Sequence, residues 1–395
     1  MTVLVVAALS ARMLAEAATD DGFDVVALDL FGDADTRRAC SQWIPIGQPG
    51  ALQIDAARFL SSLDALAKRG VAAGWIAGSG FEGQPELLER GATLLPLIGT
   101  QADAVRRVRD PSAFFQSLDA EGIAHPAVQM TPPLAAAGWL VKDAHGCGGW
   151  HIRRAAPQRS ESLPGSARQH DYFQREMRGT PMSATFIANG SDACVLGFNQ
   201  LIVRRFGKRP FVFCGAVGPV PLPAGTAGRI KAAVRSIAKA FSLRGLGSLD
   251  FMLDGDAFGV LEVNPRPPAS MALYRGRFFR GAANGASLGV VAAHVRACLQ
   301  GELPQVPART ANDAADEPVQ GTEIVFAPRA LYLDEPAARR MGERAGCHDV
   351  PAAATHFEAG DPLCSVSASG ANVEQVRLLL DRGREAVHQS LEIHS

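Results

Sequence analysis

The chain has 395 residues, 47% of them hydrophobic and 20% charged, with 39 basic against 40 acidic side chains. That length suits two or three domains at roughly 100–200 residues each, and the composition can bury a sizeable core. A net charge of −1 excludes a global electrostatic footprint for nucleic acid or an anionic membrane, so neither is expected as a partner.

The start, Met-Thr-Val-Leu-Val-Val-Ala-Ala-Leu, lacks a basic leader and meets Arg12 too soon for a signal peptide. Residues 3–8 read instead as a first strand. A helix suits 11–18, and a second apolar run at 25–28 ends in Asp29. Helical periodicity over 51–68 and a strand at 74–77 complete an alternation that predicts βαβ units on a parallel sheet. A dinucleotide fold is disfavoured, because no GxGxxG follows the first strand. Helices are expected at 103–109 and 111–121, with Pro111 near a helix start. Strands follow at 139–142, 171–177 and 182–188, then a helix at 228–241. Strands at 248–253 and 258–263 and a helix at 286–299 come next. Residues 303–320 are rich in Pro, Ala and Asp without periodicity and read as a linker or a mobile excursion. Beyond them, β structure over 322–332, a turn entering a strand over 357–366 and a helix over 373–390 predict a small C-terminal α+β unit. No stretch reaches the ~20 apolar residues of a membrane span. The seven cysteines include no CxxC pair, so reduced thiols in a cytoplasmic protein are expected.

The strongest chemical signal is Ser248-Leu-Asp-Phe-Met-Leu-Asp-Gly-Asp-Ala-Phe-Gly-Val-Leu-Glu-Val-Asn-Pro-Arg266. Glu262 and Asn264 lie two apart on a strand and share a face. Asp254-Gly255-Asp256 marks a hairpin. A three-residue loop of Gly255, Asp256 and Ala257 would place Asp250 opposite Glu262; a two-residue loop would put Leu261 there instead. The first register gathers two carboxylates and an amide oxygen, a donor set that suits Mg2+. Arg266 can reach the same phosphates with its planar donor fork. An ordinary acidic hairpin is the plainer reading, but Glu262 and Asn264 fall in a mostly apolar run where unpaired burial is costly.

A second signal is Leu140-Val-Lys142-Asp-Ala-His-Gly-Cys-Gly-Gly-Trp150. Gly146, Gly148 and Gly149 would let backbone N–H groups approach an anion, with Lys142 as a point charge. It is not a Walker loop. His145 and His151 flank it and read equally well as surface histidines. The run Tyr172-Phe-Gln-Arg-Glu-Met-Arg-Gly179 could line an adenine pocket. Arg204, Arg205, Lys208 and Arg209 read as a solvated loop or an anion site. No GxSxG elbow and no zinc-ligand spacing occurs.

Together these motifs resemble the ATP-grasp superfamily, over residues 1 to about 300. The resemblance implies a pre-ATP-grasp α/β domain (1–97), an ATP-grasp domain of two α+β lobes (98–302), the linker, and a C-terminal domain (321–395) similar to that of biotin carboxylase-like proteins. The overall look is closest to proteins described as ATP-dependent carboligases, some linked to tetrahydromethanopterin- and methylofuran-dependent C1 metabolism. It implies Asp250, Glu262 and Asn264 as metal ligands, and Arg266 and Lys142 as catalytic residues, Arg266 near the transferred phosphate and Lys142 on the nucleotide phosphates. Nucleotide contacts fall to Arg109, Lys142, His145, Gly146, Gly148, Gly149, Gln174, Arg175, Glu176 and Met177. It also implies ATP with Mg2+ or Mn2+ as cofactors, a small carboxylate and an amine as substrates, and a homodimer as the assembly to test. The implied reaction makes an acyl phosphate and captures it with an amine, as in glutamate ligation to a C1-carrier precursor. Biotin- or bicarbonate-dependent carboxylation and ATP binding without turnover are the competing readings. Three departures stand out. Arg109 takes the place of a phosphate-binding lysine, Gln174 that of an adenine-binding glutamate, and Pro181 that of a ribose-binding glutamate.

Overall fold

A computed structural model of the protein describes residues 2–48, 50–156, 170–281, 285, 287–306 and 318–392, the last residue by its backbone alone. In chain order the first part runs β1 (Val3–Ala7), α1 (Arg12–Asp20), β2 (Asp24–Asp29), α2 (Ala34–Arg38), β3 (Gln42–Pro45), α3 (Ala56–Arg69), β4 (Ala72–Ala77), α4 (Pro85–Leu94), α5 (Ala102–Arg109) and α6 (Pro111–Ala120). Then come β5 (Val128–Gln129), β6 (Trp139–Asp143), β7 (Arg153–Arg154), β8 (Asp171–Arg175), β9 (Thr180–Asn189), β10 (Ala193–Phe206), β11 (Arg209–Gly218), α7 (Ala224–Phe241), β12 (Arg244–Asp254) and β13 (Ala257–Asn264). The rest comprises β14 (Phe279–Gly281), β15 (Ser287–Leu288), α8 (Val290–Gln300), β16 (Pro304–Gln305), β17 (Val319–Phe326), β18 (Leu331–Leu333), α9 (Glu335–Gly342), β19 (Cys347–His348), β20 (Thr355–Phe357), β21 (Pro362–Gly370) and α10 (Val373–Glu392).

The first sheet is parallel, in the order β3-β2-β1-β4. Its strands are apolar on both faces, as a sheet covered by helices on both sides requires. Leu4, Val6, Val25 and Ala27 pack with Leu14, Ala15 and Ala18 of α1. Val5, Ala7, Val26 and Leu28 face Phe59 and Leu63 of α3 and Leu87 of α4. Chain reversal lies between β1 and β4, so ligands are expected at the carboxyl ends of these two strands. The turn 78–83 leaves β4 there.

The largest sheet has eight strands in the order β13-β12-β9-β10-β11-β17-β21-β19. The C-terminal strands β17, β21 and β19 thus extend the same sheet through β11. Arg12 braces them against the first sheet: its Nε and Nη2 donate to the Asp349 carboxylate at 2.6 and 2.9 Å. A smaller antiparallel sheet, β5-β8-β6-β7, carries the Gly-rich loop. Trp150 at the end of that loop packs on Phe206 and Phe326, with ring centroids 5.6 Å away in both cases.

Several boundaries differ from the sequence expectations. The helix read over 51–68 begins at Ala56, where the Asp55 carboxylate caps the Arg58 N–H. The helix read from 286 starts at Val290, because Ser287–Leu288 pairs with β14 as a strand. The supposed linker is partly strand at both ends, in β16 and β17; its middle, 307–317, lies outside the described residues. Arg204 and Arg205 belong to β10, and Arg209 opens β11, so the basic cluster flanks a tight hairpin. Arg204 there pairs with Glu323 at 2.7 Å and with Asp381 at 3.0 Å, which removes it as a free anion ligand.

His294 joins α8 to the strands beneath it. Its Nδ1 accepts from the Leu246 N–H at 2.8 Å, and Nε2 faces the Ile98 carbonyl at 3.0 Å. The ring is therefore neutral, and burial pushes its pKa down from 6.5 to about 4. The unfolded chain takes up this proton first, so the contribution of His294 is complete above pH 6.5 and is lost as pH falls toward 4. Thermal melting of wild type should fall over that window more steeply than melting of His294→Gln; equal slopes would contradict this role.

Candidate active site

The cleft is built around the β12–β13 hairpin. Its turn is the two-residue Gly255-Asp256, with Asp254 opposite Ala257, contrary to the three-residue loop expected from sequence. Asp250 nevertheless faces Glu262, because Leu261 is bulged out of the ladder between Phe251–Val260 and Asp250–Glu262. The bulge is held from outside the hairpin. The Val260 N–H donates to the Ala124 carbonyl at 2.8 Å, and the Gln174 amide donates to the Leu261 carbonyl at 3.4 Å. Bulges of this kind re-aim side chains at functional sites.

Ser248, Asp250, Glu262 and Asn264 therefore share one face. The Asn264 amide N–H donates to Asp250 at 3.1 Å and to the Ser248 hydroxyl at 3.2 Å. Glu262 accepts from Lys142 Nζ at 3.0 Å. Burial raises the Asp250 carboxyl above the usual range, and the neighbouring Glu262 charge adds to that shift. Burial works against ionised Glu262 too, but Lys142, with Arg109 and His151, outweighs it and holds Glu262 below the usual range. One acid of the pair is thus short of positive charge, as a site for a cation would be. The donor set also fits: two carboxylates, with an amide whose oxygen turns toward them if the carboxamide rotates by half a turn. Among the described residues no group of three His, Cys, Asp or Glu side chains is placed to hold a metal.

Arg266 leaves β13 and reaches across to the first sheet. Its Nε and Nη2 donate to Glu82 Oε1 at 3.1 and 3.0 Å. Glu82 is 3% exposed, and its other oxygen accepts from the Gly80 N–H at 2.6 Å. Burial opposes its charge, but Arg266 keeps the carboxyl below its ordinary range. The sequence reading missed Glu82. The available signal was Gly78-Ser-Gly-Phe-Glu-Gly83 following a parallel strand. The next residue, Gly83, lies so close to the Gly-rich loop that a Cβ there would sit 2.4 Å from the His145 carbonyl oxygen.

The Gly-rich loop is docked on several sides. Arg109 Nη2 donates to the carbonyls of Ala144 and Gly146, each at 2.6 Å, while its Nε has no partner. The Phe213 N–H donates to the Gly148 carbonyl at 3.0 Å. Gly149 has φ +78°, and a Cβ there would come within 1.8 Å of the Phe211 carbonyl, so only glycine fits. Burial pushes the Cys147 thiol up to about 11, with Glu82 contributing. His151 is pushed down to about 4 by burial, against the pull of Glu262. His145 stacks on His170 at 3.9 Å, and burial lowers its pKa.

The remaining expected nucleotide contacts lie on and after β8. Gln174 is 2% exposed, and its oxygen faces Lys142 at 3.4 Å. The Arg175 N–H is engaged by the Ala127 carbonyl at 2.8 Å, and its guanidinium donates to Ala137 O at 3.0 Å. The Glu176 carboxylate pairs with Arg154 at 3.0 Å. The Met177 sulfur lies against Gly259, where a Cβ would come within 2.5 Å of it.

Residues 108–270 match the family model described as an ATP-grasp domain. Among curated proteins none matches the sequence. Solved structures share the architecture over almost the whole chain. An L-amino acid ligase from Bacillus licheniformis aligns with a TM-score of 0.66 at 13% identity, over 98% of this chain and 97% of that one. N5-carboxyaminoimidazole synthase from Aspergillus clavatus, in complex with ADP and 5-aminoimidazole ribonucleotide, aligns at 0.65 and 14% identity over 98% of both chains. Biotin carboxylase from Campylobacter jejuni aligns at 0.63 and 13% identity, over 95% of this chain and 89% of that one. At such identities the likeness speaks for the fold. The match over residues 108–270 and the shared architecture give the chain as a whole the ATP-grasp fold.

Proposed function

We propose that this protein is an ATP-dependent ligase that activates a carboxylate as an acyl phosphate and joins it to an amine. The observation that carries the reading is the convergence of Asp250, Glu262, Asn264 and Arg266 with Lys142 under a docked Gly-rich loop. A carboxylate oxygen would attack the γ-phosphorus, and the bond to ADP would break. The amine would then attack the acyl carbon, losing a proton to solvent as phosphate leaves. Such chemistry is mainly positioning and charge stabilisation, so it needs no protein nucleophile. Asp250, Glu262 and Asn264 would hold Mg2+ or Mn2+, which supplies charge neutralisation to the phosphates. Arg266, fixed by Glu82, would face the charge developing on the transferred group. The Gly-rich loop, with Lys142 and Arg109, would grip the phosphates, and the run from Gln174 to Met177 would line the adenine pocket.

Glutamate is the acid favoured by the resemblance to proteins of C1-carrier metabolism, and bicarbonate would make the enzyme a carboxylase-type ligase. No helix among the described residues is long and apolar enough to cross a membrane. ADP and phosphate release over a panel of carboxylates, glutamate and bicarbonate included, with and without amines, tests the proposal. Release that requires both an acid and an amine is expected. Tight ATP binding without release for any pair would contradict it and favour a binding protein.

A further inference from the structure

Of the two acids of the cleft, Glu262 is already compensated by a cation of the chain itself, while Asp250 meets a neutral amide. Lys142, 3% exposed, puts Nζ 3.0 Å from Glu262 Oε2. An ammonium has three donors, and two of them have acceptors here: Glu262 Oε2 at 3.0 Å and Gln174 Oε1 at 3.4 Å. On the other side, the Asn264 amide N–H points at Asp250. Neither arrangement is the one that binds ATP with a divalent ion. A metal on Glu262 would share its carboxylate with the Lys142 ammonium 3.0 Å away, and a phosphate would compete with Glu262 for that same ammonium.

We infer that Lys142 is an internal counter-cation that withholds Glu262 from divalent metal until an anionic phosphate draws the ammonium away. This rests on the metal–ATP reading of the site and adds an order to it. A cation entering beside Lys142 meets like charge across the shared carboxylate, at a site where charges are poorly screened. A phosphate that engages Lys142 removes that charge and frees the carboxylate at once. Metal and nucleotide therefore strengthen each other's binding, and by linkage the effect is reciprocal. Lysine suits this role better than arginine. Its compact head on a flexible stem can move between Glu262 and a phosphate without giving up a two-pronged geometry.

The test uses Mn2+ alone, titrated into the full-length protein and followed by the loss of its free-ion paramagnetic resonance signal. Wild type should bind weakly. Lys142→Met should bind more tightly, by roughly 10–10³-fold, the range over which a nearby charge shifts a carboxylate's proton affinity. Lys142→Gln is the second variant, should the apolar one fail to fold, and should also tighten binding. Adding Asp250→Asn to either variant should abolish the gain and so locate the ion. Equal or weaker Mn2+ binding by the folded Lys142 variants would overturn the inference, as would a gain that survives Asp250→Asn. No step of the titration needs turnover. Failure to find acid-dependent ADP release would count against the ligase reading and leave this result standing.

Discussion

Asp250→Asn should lower ATP-dependent turnover by roughly 10²–10³-fold, the scale of losing one preorganised group at a charge-developing centre. The substitution changes one oxygen for an amide and keeps the volume, so folding should survive. Asp250 lies in the middle of β12, between β9 and β13, where Ser183 and Glu262 are its register partners. Its carboxyl is raised by burial and by the Glu262 charge, so removing the acid relieves repulsion as well as removing a ligand. Thermal melting at or above the wild-type value, together with the loss of turnover, is the expected pair of results. Unchanged rates would refute the clamp.

The second large effect concerns Arg266 and Glu82, whose contact joins the first sheet to the hairpin across 184 positions of sequence. Breaking a buried pair from one side leaves an uncompensated charge and typically costs about 3–5 kcal/mol. Arg266→Met should therefore both destabilise the fold and abolish turnover. Glu82→Gln with Arg266→Met leaves no charge behind and should recover most of the stability while turnover stays lost. Denaturant unfolding beside kcat/KM separates the two effects. Recovery of activity in the double variant would show that Arg266 only holds the units together.

The contrast between Asp250 and Glu82 shows how far the residues could be read alone. The pairing of Asp250 with Glu262 was legible, but through the wrong loop: the turn has two residues, and the register is reset at Leu261. That bulge depends on Ala124 and Gln174, which lie far outside the hairpin in sequence. Local turn chemistry therefore could not reveal it. The apolar strands of the first sheet and the helices after it were visible because burial imprints a period on nearby residues. β3 and the β10–β11 hairpin were harder to see. β3 is short and half-buried, and β10 mixes apolar with polar positions along its length. Glu82 carried no periodic signal at all, since its partner is set by how two sheets meet. Lys142 was read as a phosphate ligand from its Gly-rich neighbours. Its grip on Glu262 depends on the register of β6 against β8 and on the approach of β13.

The most direct measurement is hydroxylamine trapping. An acyl phosphate formed in the cleft reacts with hydroxylamine to give a hydroxamate. Wild type incubated with ATP, Mg2+ and a productive carboxylate should yield hydroxamate in proportion to ADP, and Asp250→Asn should yield none above background. ADP formed without hydroxamate, or hydroxamate formed equally by Asp250→Asn, would contradict carboxylate activation at this site.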